Sequence, residues 1–361
     1  MANEIGLGQL ALVGISRGGT AWGTTNAAAI GALGLAEYNS ETILTDAQNI
    51  EDMQISGNAV AQKPDLGNIL TAGGINMDAK YEGFQQWIAH AFGTSQGGAP
   101  TQVGADNAYL HTYRMHSTLI GVYATVAITK LTRVFEYPSV KVNTLGFAIQ
   151  NGQRLKCDAG IIASDYAVGS AINTLASMAV GAGLTMSANR DFMRFSQLGV
   201  KINAQSAGAL SAATALGVSG VSWTLDNNLM GDDVTTARGY LIDEPVRGDG
   251  FAKVSGTVDF SQLNLRANGG DAFITALLAK TPQKMSLTFT GPAIGATAFS
   301  MVWFFNNVVF SASEQSVGGP GRIPQKLTWT AHPAASAATG MTYTDPCWAT
   351  LTNQIATNTL A

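Results

Sequence analysis

Residues 74–93 read GINMDAKYEGFQQWIAHAFG, a strand that runs into a short helix. Phe84, Trp87, Ile88, Ala91 and Phe92 fall at i, i+3, i+4, i+7 and i+8, which is one face of a helix. Gly93 follows the last apolar residue, where a C′ glycine is expected. A similar passage recurs downstream. Residues 254–261 (VSGTVDFS) read as a strand, and residues 270–280 (GDAFITALLAK) as a helix with Phe273, Leu277 and Leu278 on one side. A chain that uses one unit twice reads as a duplicated assembly module rather than a conventional enzyme.

Two further landmarks keep a constant offset. Tyr137-Pro138-Ser139-Val140 matches Phe305-Asn306-Asn307-Val308, and Gln153-Arg154-Leu155 matches Gly321-Arg322-Ile323, both displaced by 168 (305 minus 137). The helices are displaced by 189 (Phe84 to Phe273), as loops of different length would require. Around these landmarks the pattern is mostly two-residue alternation, which reads as strands. Met53 and Ile55 alternate with Gln54 and Ser56, Tyr109 to Met115 alternates with Leu110, Thr112 and Arg114, and Val200 and Ile202 alternate with Lys201 and Asn203. Asn151-Gly152 predicts a tight hairpin between the runs around 145–149 and 155–161. Leu66-Gly67-Asn68 and Gly318 to Gly321 read as turns. The expected division is an N-terminal arm (1–38), a first β module (39–164), a linker or additional strands (165–189), a second module (190–335) and a polar C-terminal tail (336–361).

Charged residues make up 12% of the chain, about half the ~25% usual in soluble domains. A low-charge surface tolerates burial and suits a protein whose faces are covered by neighbours. The net charge of −4 gives no footprint for tight nucleic-acid binding, which needs clustered Lys and Arg. Cys157 and Cys347 make no disulfide framework and read as free thiols. The start (MANEIGLGQLALVG) lacks a basic n-region, so no signal peptide is expected. Residues 166–189 carry no charge, but Asn173, Thr174 and several Ser and Gly dilute them, so no membrane insertion is expected.

Candidate chemistry is sparse. Gly14-Ile15-Ser16-Arg17-Gly18 has the G-x-S-x-G spacing of a nucleophile elbow, but no parallel sheet can precede it so early in the chain. His90 falls off the apolar stripe and reads as exposed or interfacial. His111 and His116 fall on opposite faces of a strand, which is wrong for a shared metal. His332, Cys157 and Cys347 have no ligand-spaced partners. Asp232-Asp233, Asp243-Glu244 and Asp249 form an acidic loop. It reads as a solvated stretch, a carboxylate pair, or a patch that repels phosphate. No Walker or dinucleotide fingerprint is present. No catalytic, cofactor-binding or metal-binding residue is expected.

The strand–helix unit, Tyr109-x-His111-x-Tyr113, the run YPSVKVNTLGFAIQNGQRLKCDAGIIAS and VSGTVDFS with its short helix together resemble tail tube proteins of long-tailed bacteriophages. The resemblance spans roughly residues 40–335. It implies a mainly β fold with short helices, a duplicated β-sandwich or half-barrel module whose strands join those of neighbouring subunits in a β-barrel. It implies a non-enzymatic virion protein, made in the host cytoplasm and stacked as rings around a lumen that conducts DNA. Its partners would be copies of itself, a tape-measure protein and double-stranded DNA in the lumen, and terminator and baseplate or tip proteins at the ends. Two modules per chain favour a trimeric, pseudo-sixfold ring; one favours a hexamer. The N-terminal arm, residues 94–106 and the tail are the expected ring-to-ring contacts. Another virion or surface-layer protein, or a β-rich carbohydrate-active enzyme using Asp232 or Asp243, is the alternative.

Overall fold

Alternating side chains build the chain into antiparallel strands, seen in a computed structural model that describes residues 11–19, 21–23, 28–30, 35–51, 63–93, 100–130, 132–178, 191–232, 239–248, 250–262, 270–357 and 360. In chain order the strands are β1 (Val13–Arg17), β2 (Leu35–Ala36), β3 (Ser40–Glu41), β4 (Leu44–Ile50), β5 (Asp65–Asp78), β6 (Thr101–Gln102), β7 (Tyr109–Arg114), β8 (Ala124–Lys130), β9 (Arg133–Gln150) and β10 (Lys156–Ala163). They continue as β11 (Ala167–Val168), β12 (Leu198–Ala204), β13 (Ala215–Leu216), β14 (Gly220–Asp226), β15 (Lys253–Phe260), β16 (Gln283–Ile294), β17 (Thr297–Glu314), β18 (Gln325–Ala331) and β19 (Cys347–Asn353). Helix α1 spans Gln85–Phe92 and helix α2 spans Gly270–Leu278.

Two sets of strands pair in the same order. β5 pairs with β10, β10 with β9, β9 with β8, β8 with β1, and β1 with β2. Likewise β15 pairs with β18, then follow β17, β16, β12 and β13. The registers also correspond. Val140 faces Ala163, and 168 residues further on Val308 faces Ala331. The β9 ladder skips Asn143, between Val142↔Ile161 and Thr144↔Gly160. The β17 ladder skips Ser311, between Phe310↔Trp329 and Ala312↔Thr328, again 168 residues on. A bulge inserts one residue and bends the strand, so its position is a specific feature of a ladder. Two closely packed glycines correspond too. A Cβ on Gly73 would lie 2.5 Å from the Thr42 carbonyl oxygen, and one on Gly256 2.2 Å from that of Ser222. Only glycine lets the backbones approach so closely.

One sheet joins the two sets. β14 pairs along the remaining edge of β9, from Thr144 to Gln150. β3 and β4 share one register on β5 (Ser40↔Asn76, Leu44↔Ala72) and act as one interrupted strand. Eight positions therefore lie side by side: β3/β4, β5, β10, β9, β14, β15, β18 and the end of β17. Apolar side chains on one face of this sheet feed the main core. At the joint, Phe147 of β9 lies 4.9 Å from Trp223 of β14 and 4.8 Å from Trp303 of β17, between ring centroids. Helix α1 adds Phe84, 5.9 Å from Phe147, and Phe92, 5.7 Å from Trp303. Such aromatic contacts contribute about 0.5–1.5 kcal/mol each beyond area burial.

Several local expectations need correction. Residues 13–17, read as part of an arm, form β1 between β2 and β8. Leu66-Gly67-Asn68, read as a turn, lies inside β5. The polar tail holds β19 between β17 and β7, with Cys347, Ala349 and Leu351 in the main core and Trp348 in a second apolar cluster with Ala338 and Met341. On α2, Phe273 and Ala276 are buried while Leu278 is 79% exposed. Met53 and Ile55 lie outside the described residues. Among the described residues no helix is long and apolar enough to cross a membrane.

Candidate assembly interface

The residues with chemical potential do not converge. Ser16 sits within β1, paired with Thr125 of β8, in a strand rather than at a strand-to-helix turn. His90, expected at the surface, is buried. Its ring bonds the Gln86 and Tyr123 carbonyl oxygens at 2.8 and 3.2 Å, and desolvation pushes its pKa down to about 4. His111 is buried against Asn353 Oδ1 and the Ile355 carbonyl, both at 3.0 Å. His116 bonds the Thr118 carbonyl, and His332 is exposed. Cys157 and Cys347 are separate buried thiols, and burial raises both pKa values. Among the described residues no three His, Cys, Asp or Glu side chains group as a metal site.

The acidic loop is partly an internal clamp. Glu244 accepts from Lys141 Nζ at 2.6 Å, the Tyr123 hydroxyl at 2.7 Å and the Gly121 N–H at 2.9 Å. Lys141 also donates to the Pro245 carbonyl at 2.9 Å. Desolvation lowers the Lys141 pKa. Desolvation of Glu244 is outweighed by its donors, which hold its carboxyl below the usual range. Asp233 and Asp249 lie outside the described residues.

What the fold leaves open is sheet edge and polar sheet face. Thr42 N–H donates to the Gly74 carbonyl at 2.9 Å, so the backbone groups of Glu41, Ile43 and Thr45 point away from β5. Among the described residues no strand pairs with that outer edge. The Ile43 N–H is held instead by the Glu41 carboxylate at 3.0 Å, which also meets Lys130 Nζ at 2.6 Å. At the opposite end of the sheet, β16 pairs with β17 only as far as Val308. Beyond it, β17 keeps β18 on one edge, and among the described residues no strand pairs with the other. Leu44 is 66% exposed and Val317 72% exposed at these two ends. On the face turned away from the core lie Asp46, Asp78, Asp158, Asp226, Asp259 and Glu314, with Lys141, Lys156, Lys253 and Lys326 among them and Arg154 paired to Asp78 at 3.2 Å. Carboxylates outnumber cations on this face by a small margin, which makes it weakly electronegative.

A family profile described as Phage tail tube protein matches residues 8–331. The chain belongs to the phage tail tube protein family. It is thus a structural subunit of a bacteriophage tail tube, a part of the virion that self-assembles from stacked copies. The mainly β, antiparallel fold with short helices is the one the sequence resemblance implied. No curated protein sequence matches. Among solved structures, the tail tube of SPP1, determined by solid-state NMR combined with cryo-EM, is 14% identical. The match covers 38% of this chain and 74% of that one at a TM-score of 0.27. For a tail tube protein the two bare edges have a plain physical meaning, since an unpaired edge is a template for pairing with another chain.

Proposed function

We propose that this chain carries two tube modules in tandem and that three chains close each ring with pseudo-sixfold symmetry. The supporting observation is the repeated ladder, in which pairing order, register and bulge recur at an offset of 168. Each chain offers eight strand positions to a common sheet. Strands about 4.8 Å apart would give three chains a circumference of about 115 Å, or a diameter near 37 Å before tilt. Six such chains would double that width.

The electronegative face lines the lumen in this reading. It repels phosphate and lets DNA pass without sticking, with no sequence-specific contact. Residues 239–248 lie against β5 through the Ile69–Leu241 bridge, with Glu244 neutralised by Lys141. A tape-measure protein occupies the lumen before DNA does, and terminator and baseplate or tip proteins cap the ends. Residues 1–12, 94–106 and the chain end beyond β19 hold ring to ring. Within 94–106 the part next to β7 is anchored, because Asp106 accepts from the Ala296 and Thr297 N–H groups at 2.6 and 3.2 Å. The protein performs no catalysis, binds no cofactor and does not insert into membrane; it is made and assembled in the host cytoplasm. Electron microscopy of the purified protein tests the reading. Hollow tubes whose rings contain three chains support it. Rings of six chains would refute the tandem module, and sheets or monomers alone would refute the tube assembly.

A further inference from the structure

The internal joint predicts the joint between chains. Thr71 of β5 faces Thr45 on one side and Ala163 on the other. Val254 of β15 faces Leu225 on one side and Ala331 on the other. Because Ala163 and Ala331 occupy corresponding positions, Thr45 corresponds to Leu225, an offset of 180 (225 minus 45). Within the chain, the strand carrying Leu225 does not end the sheet. It pairs with β9 through Leu225↔Leu145, Trp223↔Phe147 and Val221↔Ile149. The corresponding strand, β3/β4, has nothing on that side among the described residues, and the strand corresponding to β9, β17, is likewise bare from Ala312 to its end at Glu314, with residues 315–318 continuing beyond it outside any strand.

We propose that the ring closes by antiparallel pairing of residues 40–46 of one chain with residues 312–318 of a second copy, in the register of the internal joint. This rests on the tandem-module reading above. Transferring the internal pairs by 180 on β14 and 168 on β9 gives Thr45↔Ser313, Ile43↔Gln315 and Glu41↔Val317 as hydrogen-bonded pairs. Thr42↔Ser316 and Leu44↔Glu314 become the closer, non-hydrogen-bonded pairs. Three observations agree with that register. The backbone groups of Glu41, Ile43 and Thr45 point outward, as the pairing needs. Val317, three residues beyond the end of β17, is 72% exposed where its counterpart Ile149 is 1% exposed, so this apolar side chain is open to a second copy. The Ile43 N–H is capped by its neighbour Glu41, which protects the edge until a partner carbonyl replaces the carboxylate.

The test is cross-linking in assembled tubes. Thr42→Cys with Ser316→Cys places two thiols in a non-hydrogen-bonded pair, about 5 Å apart at Cβ. Thr42→Cys with Glu314→Cys is the control, two residues out of register and about 7–8 Å apart. Within one chain the two positions sit at opposite ends of an eight-strand sheet, so an internal disulfide is out of reach. The native Cys157 and Cys347 are 0% and 1% exposed and do not compete. Oxidised tubes of the first variant should give covalently linked chains on a non-reducing gel, at least tenfold more than the control. Tubes that form without links, or equal linking in both variants, would overturn the seam while leaving the tube reading intact. Absence of tubes from the unmodified protein would overturn that reading and the seam with it. Should the substitutions block assembly, a helical reconstruction of unmodified tubes reads the register directly. Residues 40–46 beside any segment other than 312–318 would refute the proposal.

Discussion

The joint inside the chain and the two bare edges use corresponding strands, but where the joint is wholly apolar four of the six edge positions are polar. Inside, Leu145 meets Leu225, Phe147 meets Trp223 and Ile149 meets Val221, all at most 3% exposed. At the corresponding edge positions stand Thr45, Ile43 and Glu41 at one end and Ser313, Gln315 and Val317 at the other. The first contact forms as the chain folds; the second must wait for another chain. An apolar bare edge would pair indiscriminately before it met a ring. Polar side chains lower that hazard and leave the choice of partner to the backbone ladder and its register.

The contrast can be broken most directly at its centre. Trp223→Ala should cost about 3–5 kcal/mol in urea unfolding of the unassembled chain, because it empties a packed aromatic site. Ile43→Ala, at the corresponding edge position, should cost less than about 1 kcal/mol in the same experiment. Similar losses for the two variants would show that the edge is already packed in the single chain.

The two helices extend the comparison. Helix α1 is enclosed, with seven of its eight residues buried, whereas α2 leaves Thr275 and Leu278 open. Enclosure explains the low pKa of His90. With a folded value of about 4 against an unfolded value of about 6.5, the folded chain binds fewer protons in between. The stability that comes from keeping this ring neutral is therefore complete above about pH 6.5 and declines as pH falls toward 4. The loss should reach about 3 kcal/mol at the low end. His111, also lowered mainly by desolvation, works in the same direction. Urea unfolding from pH 7 to pH 4.5 measures the decline, and His90→Gln should flatten most of it. An unchanged pH profile in that variant would place the sensitive group elsewhere.

Much of the fold was legible because it is written in short periods. The stripe from Phe84 to Phe92 became α1, closed by Gly93 at φ 81°, and Asn151-Gly152 became the β9–β10 turn. The offset of 168 seen in Tyr137 and Phe305 reappears in the pairing registers. β19 was hidden because alternation marks a strand with one wet face, whereas Cys347, Ala349 and Leu351 join the main core on one face and Trp348 packs with Phe304 and Tyr343 on the other. His90 was misplaced for a similar reason, since an apolar stripe shows which side of a helix must be buried but not whether the other side is also covered. The assembly edges carry no motif at all. Thr42, Ile43, Gln315 and Val317 acquire meaning only from which strands pair around them.

The smallest effect on the single chain should be the most informative about assembly. Val317 is 72% exposed, so Val317→Asp or Val317→Lys should change chain stability by no more than about 0.5 kcal/mol. In the proposed seam Val317 faces Glu41 of the next chain. Aspartate there sets two carboxylates across the ladder, which is destabilising, while lysine sets opposite charges across it. Tube yield in electron micrographs should fall for Val317→Asp and hold for Val317→Lys, and raising the salt concentration should narrow the gap as the charges are screened. If both variants assemble equally, position 317 does not face Glu41. The edge would then need a different register, one in which the polarity of these strands protects the free chain without also defining its partner.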